Sequence, residues 1–268
     1  MKKRLIVILL ALSLVGCASK TESKVIKVGT EGAYPPFNYV NTDGTVDGYD
    51  IAVVKAIDEL IDDVEFEFVP TAWDGIFVAL DAGQFDLIAS NLGKNKDREA
   101  KYLFSDEAYT YGGTQIIFKS GRQDITSLAD LKGKKVAAGV GTASTTKLEE
   151  YNAANGNEIE IVYTDGNINN ALLEIDAGRV DATLGSIITT NLTAKELGIS
   201  ISGVQPPELS INGIYLLYAK TEENQELKTK VDAAIKTLKE NGKLKELSIK
   251  YFGADYSSEE AAKAVKQD

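Results

Sequence analysis

From Val25 onward the chain alternates short apolar runs with stretches where apolar residues recur every third or fourth position. The short runs, rich in Val, Ile and Phe, predict strands at Val25–Gly29, Val64–Val69, Phe85–Ala89, Gln115–Phe118, Lys135–Ala138, Glu158–Tyr163, Val180–Leu184 and Ile214–Ala219. The stretches between them predict helices. Ile51, Val54, Ile57, Leu60 and Ile61 form one face of a helix over Ile51–Ile61, with Asp50 placed to cap it. Trp73, Ile76, Phe77 and Leu80 do the same over Trp73–Ala82, behind a capping Thr71. Ser144–Ala153, Ile168–Ala177 and Ile187–Leu197 follow the same rule, and Asn241-Gly242 splits two C-terminal helices, Gln225–Lys239 and Lys243–Tyr251. Strands alternating with helices predict an α/β protein with mixed, mostly parallel sheets.

One string recurs. Asp81-Ala-Gly-Gln-Phe-Asp86 is echoed by Asp176-Ala-Gly-Arg-Val-Asp181. Each reads as a helix end, a glycine able to take positive φ, and a strand. A common turn between helix and strand could produce such a match; two lobes of similar build would also produce it.

Ahead of this pattern lies a different one. Lys2, Lys3 and Arg4 precede an apolar run, Leu5–Leu12, too short to span a bilayer. Leu14-Val-Gly-Cys17 then resembles a bacterial lipobox, in which cleavage precedes a cysteine that carries lipid. Residues 1–16 are expected to be a lipoprotein signal peptide, and 17–24 a polar tether. The alternative is an ordinary signal peptide with a chance cysteine. Either way the mature protein is expected outside the cytoplasm, and the lipobox further implies anchorage to the membrane through Cys17.

Composition removes several chemistries. The chain has no histidine and one cysteine, which takes away the commonest general base, Ser–His and Cys–His nucleophiles, internal disulfides and cysteine-rich zinc sites. A net charge of −11 repels nucleic acid and anionic lipid. No cofactor and no metal is expected.

In open α/β sheets ligands bind beyond the carboxyl ends of strands. Those ends supply Thr30, Glu31 and Tyr34, then Thr71 and Trp73, then Ser90, Asn91 and Gly93; later come Gly141, Thr142, Ala143 and Ser144, and finally Gly185 and Ser186. Small polar groups, backbone donors and two aromatic rings suit a polar ligand with an apolar part. No residue pair reads as a catalytic acid and base.

Glu31-Gly-Ala-Tyr-Pro-Pro-Phe37, Asp47-Gly-Tyr-Asp-Ile51, Thr71-Ala-Trp-Asp-Gly75, Asp81–Asp86, Arg98 and Tyr102-Leu-Phe-Ser105 together resemble the polar-amino-acid-binding proteins of ABC importers, extracellular solute-binding protein family 3. Lys132-Gly-Lys-Lys-Val136, Gly141-Thr142 and Gly178-Arg-Val-Asp-Ala182 extend the likeness over nearly the whole mature chain, and Tyr109-Thr-Tyr-Gly112 is most similar to the cystine-type branch. The resemblance implies a two-lobed periplasmic-binding-protein fold of type II character. Lobe one would comprise 25–112 and 212–268, lobe two 113–211, joined by two crossing hinge strands. It implies a monomer that captures an amino acid or similar carboxylate between its lobes and delivers it to a membrane permease.

It also implies roles. Arg98 would clamp the ligand carboxylate bidentately, the plain alternative being a surface ion pair with Asp97 or Glu99. Tyr34 and Trp73 would sandwich the ligand side chain, or else pack into the core. Thr142 and the amides of Ala143 and Ser144 open a helix and would meet the carboxylate from lobe two. Gly139-Val-Gly-Thr-Ala-Ser144 also resembles a dinucleotide fingerprint, but its third glycine is missing. Two positions depart from the family: Ser186 stands where an aspartate usually pairs with the ligand ammonium, and Gly93 stands where a hydroxyl usually meets the carboxylate. A buried ammonium lacking an anion costs on the order of several kcal/mol. Either Glu31 supplies the charge or the ligand is not a standard α-amino acid. Two other readings stay open: a dehydratase-like enzyme on the same scaffold, with Glu31 as its proton carrier, and a sensor feeding a separate receptor.

Overall fold

The computed structural model describes residues 23–140 and 142–265. Residues 1–16, the expected signal peptide, as well as Cys17 and Gly141, lie outside the described residues. The chain begins with β1 (Lys24–Thr30), a small hairpin sheet of β2 (Ala33–Tyr34), β3 (Asn38–Val40) and β4 (Val46–Asp47), α1 (Tyr49–Asp58), β5 (Val64–Pro70), α2 (Trp73–Asp81), β6 (Leu87–Gly93), α3 (Lys96–Lys101), β7 (Tyr102–Phe104) and β8 (Thr110–Gly113). It continues through β9 (Gln115–Lys119), a 3-10 turn at Leu128–Leu131, β10 (Lys135–Gly139), α4 (Ala143–Ala154), β11 (Glu160–Thr164), α5 (Ile168–Asp176), β12 (Ala182–Gly185), α6 (Ile187–Leu197) and β13 (Ile201–Val204). The long β14 (Ile211–Ala219) and helices α7 (Glu222–Glu240), α8 (Lys243–Phe252) and α9 (Glu259–Ala264) complete it.

Two sheets carry the fold. One runs β5-β1-β6-β14-β7, with β8 also paired to β14; the other runs β11-β10-β12-β9-β13. The ladders β5-β1-β6 and β11-β10-β12 are parallel, while β14 and β9 run antiparallel to their neighbours. The parallel share is therefore smaller than the alternation of strands and helices predicts. The reason is that β9 and β14 do not follow a helical crossover within their own sheet: they bring the chain in from the other one.

Strand side chains alternate between faces, and both faces are covered. In β6, Leu87 and Ala89 pack with Ile26, Val28, Ile57, Val231 and Ile235, against α1 and α7. Ile88 and Leu92 point the other way, onto Ile76 and Leu80 of α2. In the second sheet Ile117 and Ala137 face α5 and α6, whereas Ile116, Val136 and Ala138 face Leu148 of α4.

The repeated string builds the same corner twice. Gly83 and Gly178 each adopt φ of 69° after a helix end. Asp86 then bonds β1 through both backbone and side chain: its amide donates to the Lys27 carbonyl at 2.8 Å, and its Oδ2 accepts from the Lys27 amide at 2.8 Å. Asp181 repeats both bonds with Lys135 of β10, at 2.7 and 2.9 Å.

Neither of two expected helix caps forms. Asp50 does not cap α1; the helix starts two residues earlier than expected, at Tyr49 behind Gly48, which has φ of 123°. A Cβ at Gly48 would stand 2.4 Å from the Phe37 carbonyl oxygen, so the chain passes Phe37 too closely for a side chain that could cap. The Asp50 carboxylate is turned inward instead. Thr71 donates its hydroxyl to the Val69 carbonyl at 3.3 Å, leaving Ala72 to precede α2 without a side-chain cap. The third helix of the C-terminal segment, α9, is absent from the periodicity, being only six residues long.

Candidate functional site

The predicted residues fall largely on one wall and one crossing. β6 extends to Gly93, so Ser90, Asn91 and Gly93 lie within it rather than beyond its end. Ser90 Oγ accepts the Glu31 amide at 3.2 Å, which ties the end of β1 to β6. Asn91 has φ of 48°, the left-handed region that few side chains enter. Burial raises the pKa of the nearby Tyr34 hydroxyl, against a smaller opposing pull from the Asn91 side chain. The Tyr34 ring stacks on Phe37 at 5.2 Å between centroids.

Arg98 is placed by α3, whose Asn95 caps the helix by accepting the Arg98 amide at 2.8 Å. Its Nη1 donates to the Gly93 carbonyl at 3.0 Å. Its guanidinium carbon lies 5.8 Å from the Trp73 ring centroid and 5.3 Å from that of Phe77, within cation–π reach of both. It forms no ion pair among the described residues, so the expected alternative of a surface pair with Asp97 or Glu99 is not realised. Burial pushes its pKa down from the ordinary value. Trp73 is 43% exposed, while its helix neighbours Ile76 and Leu80 are at 0% and 1%. Its ring meets Phe77 edge-on at 5.6 Å and the Arg98 guanidinium at 5.8 Å, outside the buried core.

The second wall is sparser. Thr142 caps α4, its Oγ1 accepting the Thr145 amide at 3.1 Å and lying 3.0 Å from Ser144 Oγ. Ala143 is the first residue of α4. The hydrogen bonds of Thr142 and Ser144 stay within this lobe. Ser186 precedes α6 without capping it through its side chain; its carbonyl accepts the Thr190 hydroxyl at 2.6 Å.

Where the sheets meet, a cavity of about 220 Å³ brings Asn91, Gly93 and Ser186 together. Phe37, Thr110–Thr114, Ile188, Asn212 and Ile214 also line it. None of these was singled out from sequence as a ligand contact, because crossing strands announce themselves only through pairing: Gly112 faces Asn212 and Thr110 faces Ile214 across β8 and β14. A Cβ built on Gly93 would meet nothing nearer than the Gly213 carbonyl at 4.0 Å, so the position has room for a side chain.

Charge is scarce here. Glu31 carries no ion pair among the described residues, and partial burial raises its pKa. Behind the wall lies Asp50, fully buried. Burial pushes its carboxyl up to about 7, against the opposing pull of hydrogen bonds from Asn38, Tyr109 and the Asn91 amide. Along the sequence Asp50 reads as a helix cap, and nothing local marks its pairing with Asn38.

Comparison with known proteins adds lineage. The profile of bacterial extracellular solute-binding proteins, family 3, matches residues 26–254. The L-cystine-binding protein TcyJ of Bacillus subtilis is 32% identical over 263 residues, covering 96% of this chain and 97% of that protein. The probable amino-acid ABC transporter extracellular-binding protein ytmK of B. subtilis superposes with a TM-score of 0.78 at 28% identity, over 87% of this chain and 99% of that one. The unliganded, open L-cystine solute receptor of Neisseria gonorrhoeae gives 0.76 at 31% identity, over 89% and 97%.

Proposed function

Because the chain belongs to family 3 of the bacterial extracellular solute-binding proteins, we propose that it captures a polar amino acid or amino-acid-like carboxylate in the cleft between its lobes. It is a solute-binding protein of the ABC-importer type and not an enzyme. The observation that carries the ligand class is Arg98: a half-buried guanidinium with no carboxylate partner, framed by Trp73 and Phe77. A cation so placed gains most from a carboxylate brought to it, since a bidentate pair replaces lost hydration. Tyr34 and Trp73 flank the ligand side chain, and Glu31 is the carboxylate available for an ammonium. Ser90, Asn91 and Gly93 offer polar contacts along β6, while Thr142, Ala143, Ser144 and Ser186 close from the second lobe. Cystine heads the list of ligands, because cystine-binding proteins of B. subtilis and N. gonorrhoeae are among the relatives.

The two lobes divide at residues 112/113 and 211/212 in this reading, beside the β8–β9 and β13–β14 connections that join the two sheets. The protein works as a monomer, tethered outside the cytoplasm through lipidated Cys17, and hands its ligand to a permease. No helix among the described residues is long and apolar enough to cross a membrane.

A thermal-shift panel of amino acids and their analogues, led by L-cystine, tests the proposal. Ligand binding only the folded state adds about 2.7 kcal/mol at a hundredfold excess over Kd. A panel in which no amino acid raises Tm overturns the ligand class. A Cys17→Ser chain that stays lipid-bound after signal cleavage overturns the anchor.

A further inference from the structure

We propose that Asp50 is a positioning residue of the cleft: through one buried carboxylate it holds the end of β1, the left-handed turn at Asn91 and the entry to the first crossing strand in a single arrangement. Its Oδ2 accepts Asn38 Nδ2 at 2.9 Å and the Asn91 amide at 2.9 Å. Its Oδ1 accepts the Tyr109 hydroxyl at 2.8 Å. Each partner leads to a different part of the site. Asn38 Oδ1 accepts the Gly32 amide at 2.9 Å, which fixes the residue after Glu31. Asn91 itself lines the cavity where the sheets meet. Tyr109 directly precedes β8, and its carbonyl accepts the Tyr49 hydroxyl at 2.8 Å.

A buried carboxylate without a cation is costly to keep, and it persists only where donors converge on it. Here the donors come from three separate segments, none adjacent in sequence. Asn91 pays for its left-handed backbone with strain, and the Asp50 acceptor is the contact that holds its amide. The titratable groups facing Asp50 are Tyr49 on its own helix, Tyr109 before β8, and Tyr34 on β2, with Glu31 acting on Tyr34 from the end of β1. Burial raises the Asp50 carboxyl into the neutral range, so its ionisation falls where these partners can report it.

Asp50→Asn and Asp50→Ala separate position from charge. The asparagine oxygen can accept Asn38 and Asn91 as Oδ2 does, while its amide donates to a rotated Tyr109 hydroxyl. Alanine removes all three contacts. The test is a pair of amide resonance maps of the ligand-free chain, with and without each substitution, taken across pH 5 to 9. In the wild type the Gly32 and Asn91 amides should titrate with one common midpoint, and in Asp50→Asn that titration should vanish while their positions hold. In Asp50→Ala, resonances at Gly32, Tyr34, Asn91 and Tyr109 should move while those of β5 and β11 stay. Affinity for L-cystine should fall at least tenfold in the alanine variant and return to within threefold in the asparagine variant.

The binding arm rests on the proposed function; the resonance arm does not. A wild type that ignores cystine, with the resonances behaving as described, removes cystine as the ligand and leaves Asp50 in place. Gly32 and Asn91 amides that show no shared titration, or that keep the same titration in Asp50→Asn, overturn the assignment even if the alanine variant fails to fold.

Discussion

Arg98 Nη1 donates to the Gly93 carbonyl at 3.0 Å, so this cation is fastened to the strand that lines the cavity. The bond uses a single corner of the guanidinium and orients the rest. Arg98→Ala should therefore weaken carboxylate binding by roughly 2–5 kcal/mol, the cost of truncating one partner of a buried charge pair. Arg98→Lys should not restore it, because an ammonium lacks the two-point fork. Titration calorimetry with the best ligand of the panel checks both; affinity within threefold of wild type in Arg98→Ala ends the clamp assignment.

Trp73 is the only tryptophan and stands 43% exposed beside Arg98. Ligand seated on the guanidinium should shield the indole. Its emission should shift on binding, and quenching by acrylamide should drop. A Trp73→Phe chain should bind while giving no such signal. Unchanged quenching at saturating ligand would remove Trp73 from the cleft.

Ser186 and Gly93 share the cavity, and Ser186 brings no charge and Gly93 no hydroxyl for an α-amino acid to use there. Ser186→Asp should raise affinity for a neutral α-amino acid such as cystine by about 1–3 kcal/mol, the scale of a charged hydrogen bond. The substitution also places an acid ahead of α6, where the helix dipole favours it. Affinity, not Tm, is thus the deciding measurement. Gly93→Ser should fold normally, given the open space at its Cβ position. Glu31→Gln should weaken any cationic ligand; calorimetry showing no change in either Ser186→Asp or Glu31→Gln would mean that the ligand carries no amine.

Asp50 gives a pH dependence of stability with a definite sign. Its carboxyl is pushed up to about 7 in the folded chain from an ordinary 3.8. Folding takes up a proton between those values, so its contribution is full below about pH 4 and is lost as pH rises through about 7. Asp50→Asn has nothing to titrate. Urea unfolding from pH 4 to 8 should show the stability of wild type relative to Asp50→Asn declining as pH rises. A difference that stays level or grows would place the carboxyl in the ordinary range.

Hydrophobic periodicity was enough to place every long helix and the strands at the centre of both sheets, since burial on a helix face or in a two-sided strand leaves a repeat that needs no partner to be seen. The echo at Asp81–Asp86 and Asp176–Asp181 likewise carried real structure: both aspartates bond the first strand of their parallel ladder in the same way. Arg98, Trp73 and Tyr34 could be named from their motifs. Short elements such as α3, α9 and β2–β4 were missed because a few residues hold no full period.

What the sequence determined by itself was composition and pattern: an α/β chain with one helix-to-strand string repeated, without histidine, with one cysteine behind an apolar run. What only the tertiary structure decided was which groups meet. Asp50 looks like a helix cap along the chain, yet Gly48 passes too near Phe37 for that, and the carboxylate turns inward to collect donors from Asn38, Asn91 and Tyr109. Gly93 and Ser186 lie far apart in sequence and line one cavity because the β8–β9 and β13–β14 connections bring the two sheets together there. Periodicity records how each residue stands relative to its own element; hydrogen bonds between segments depend on where the elements pack, and that is fixed by the cores that cover both faces of each sheet.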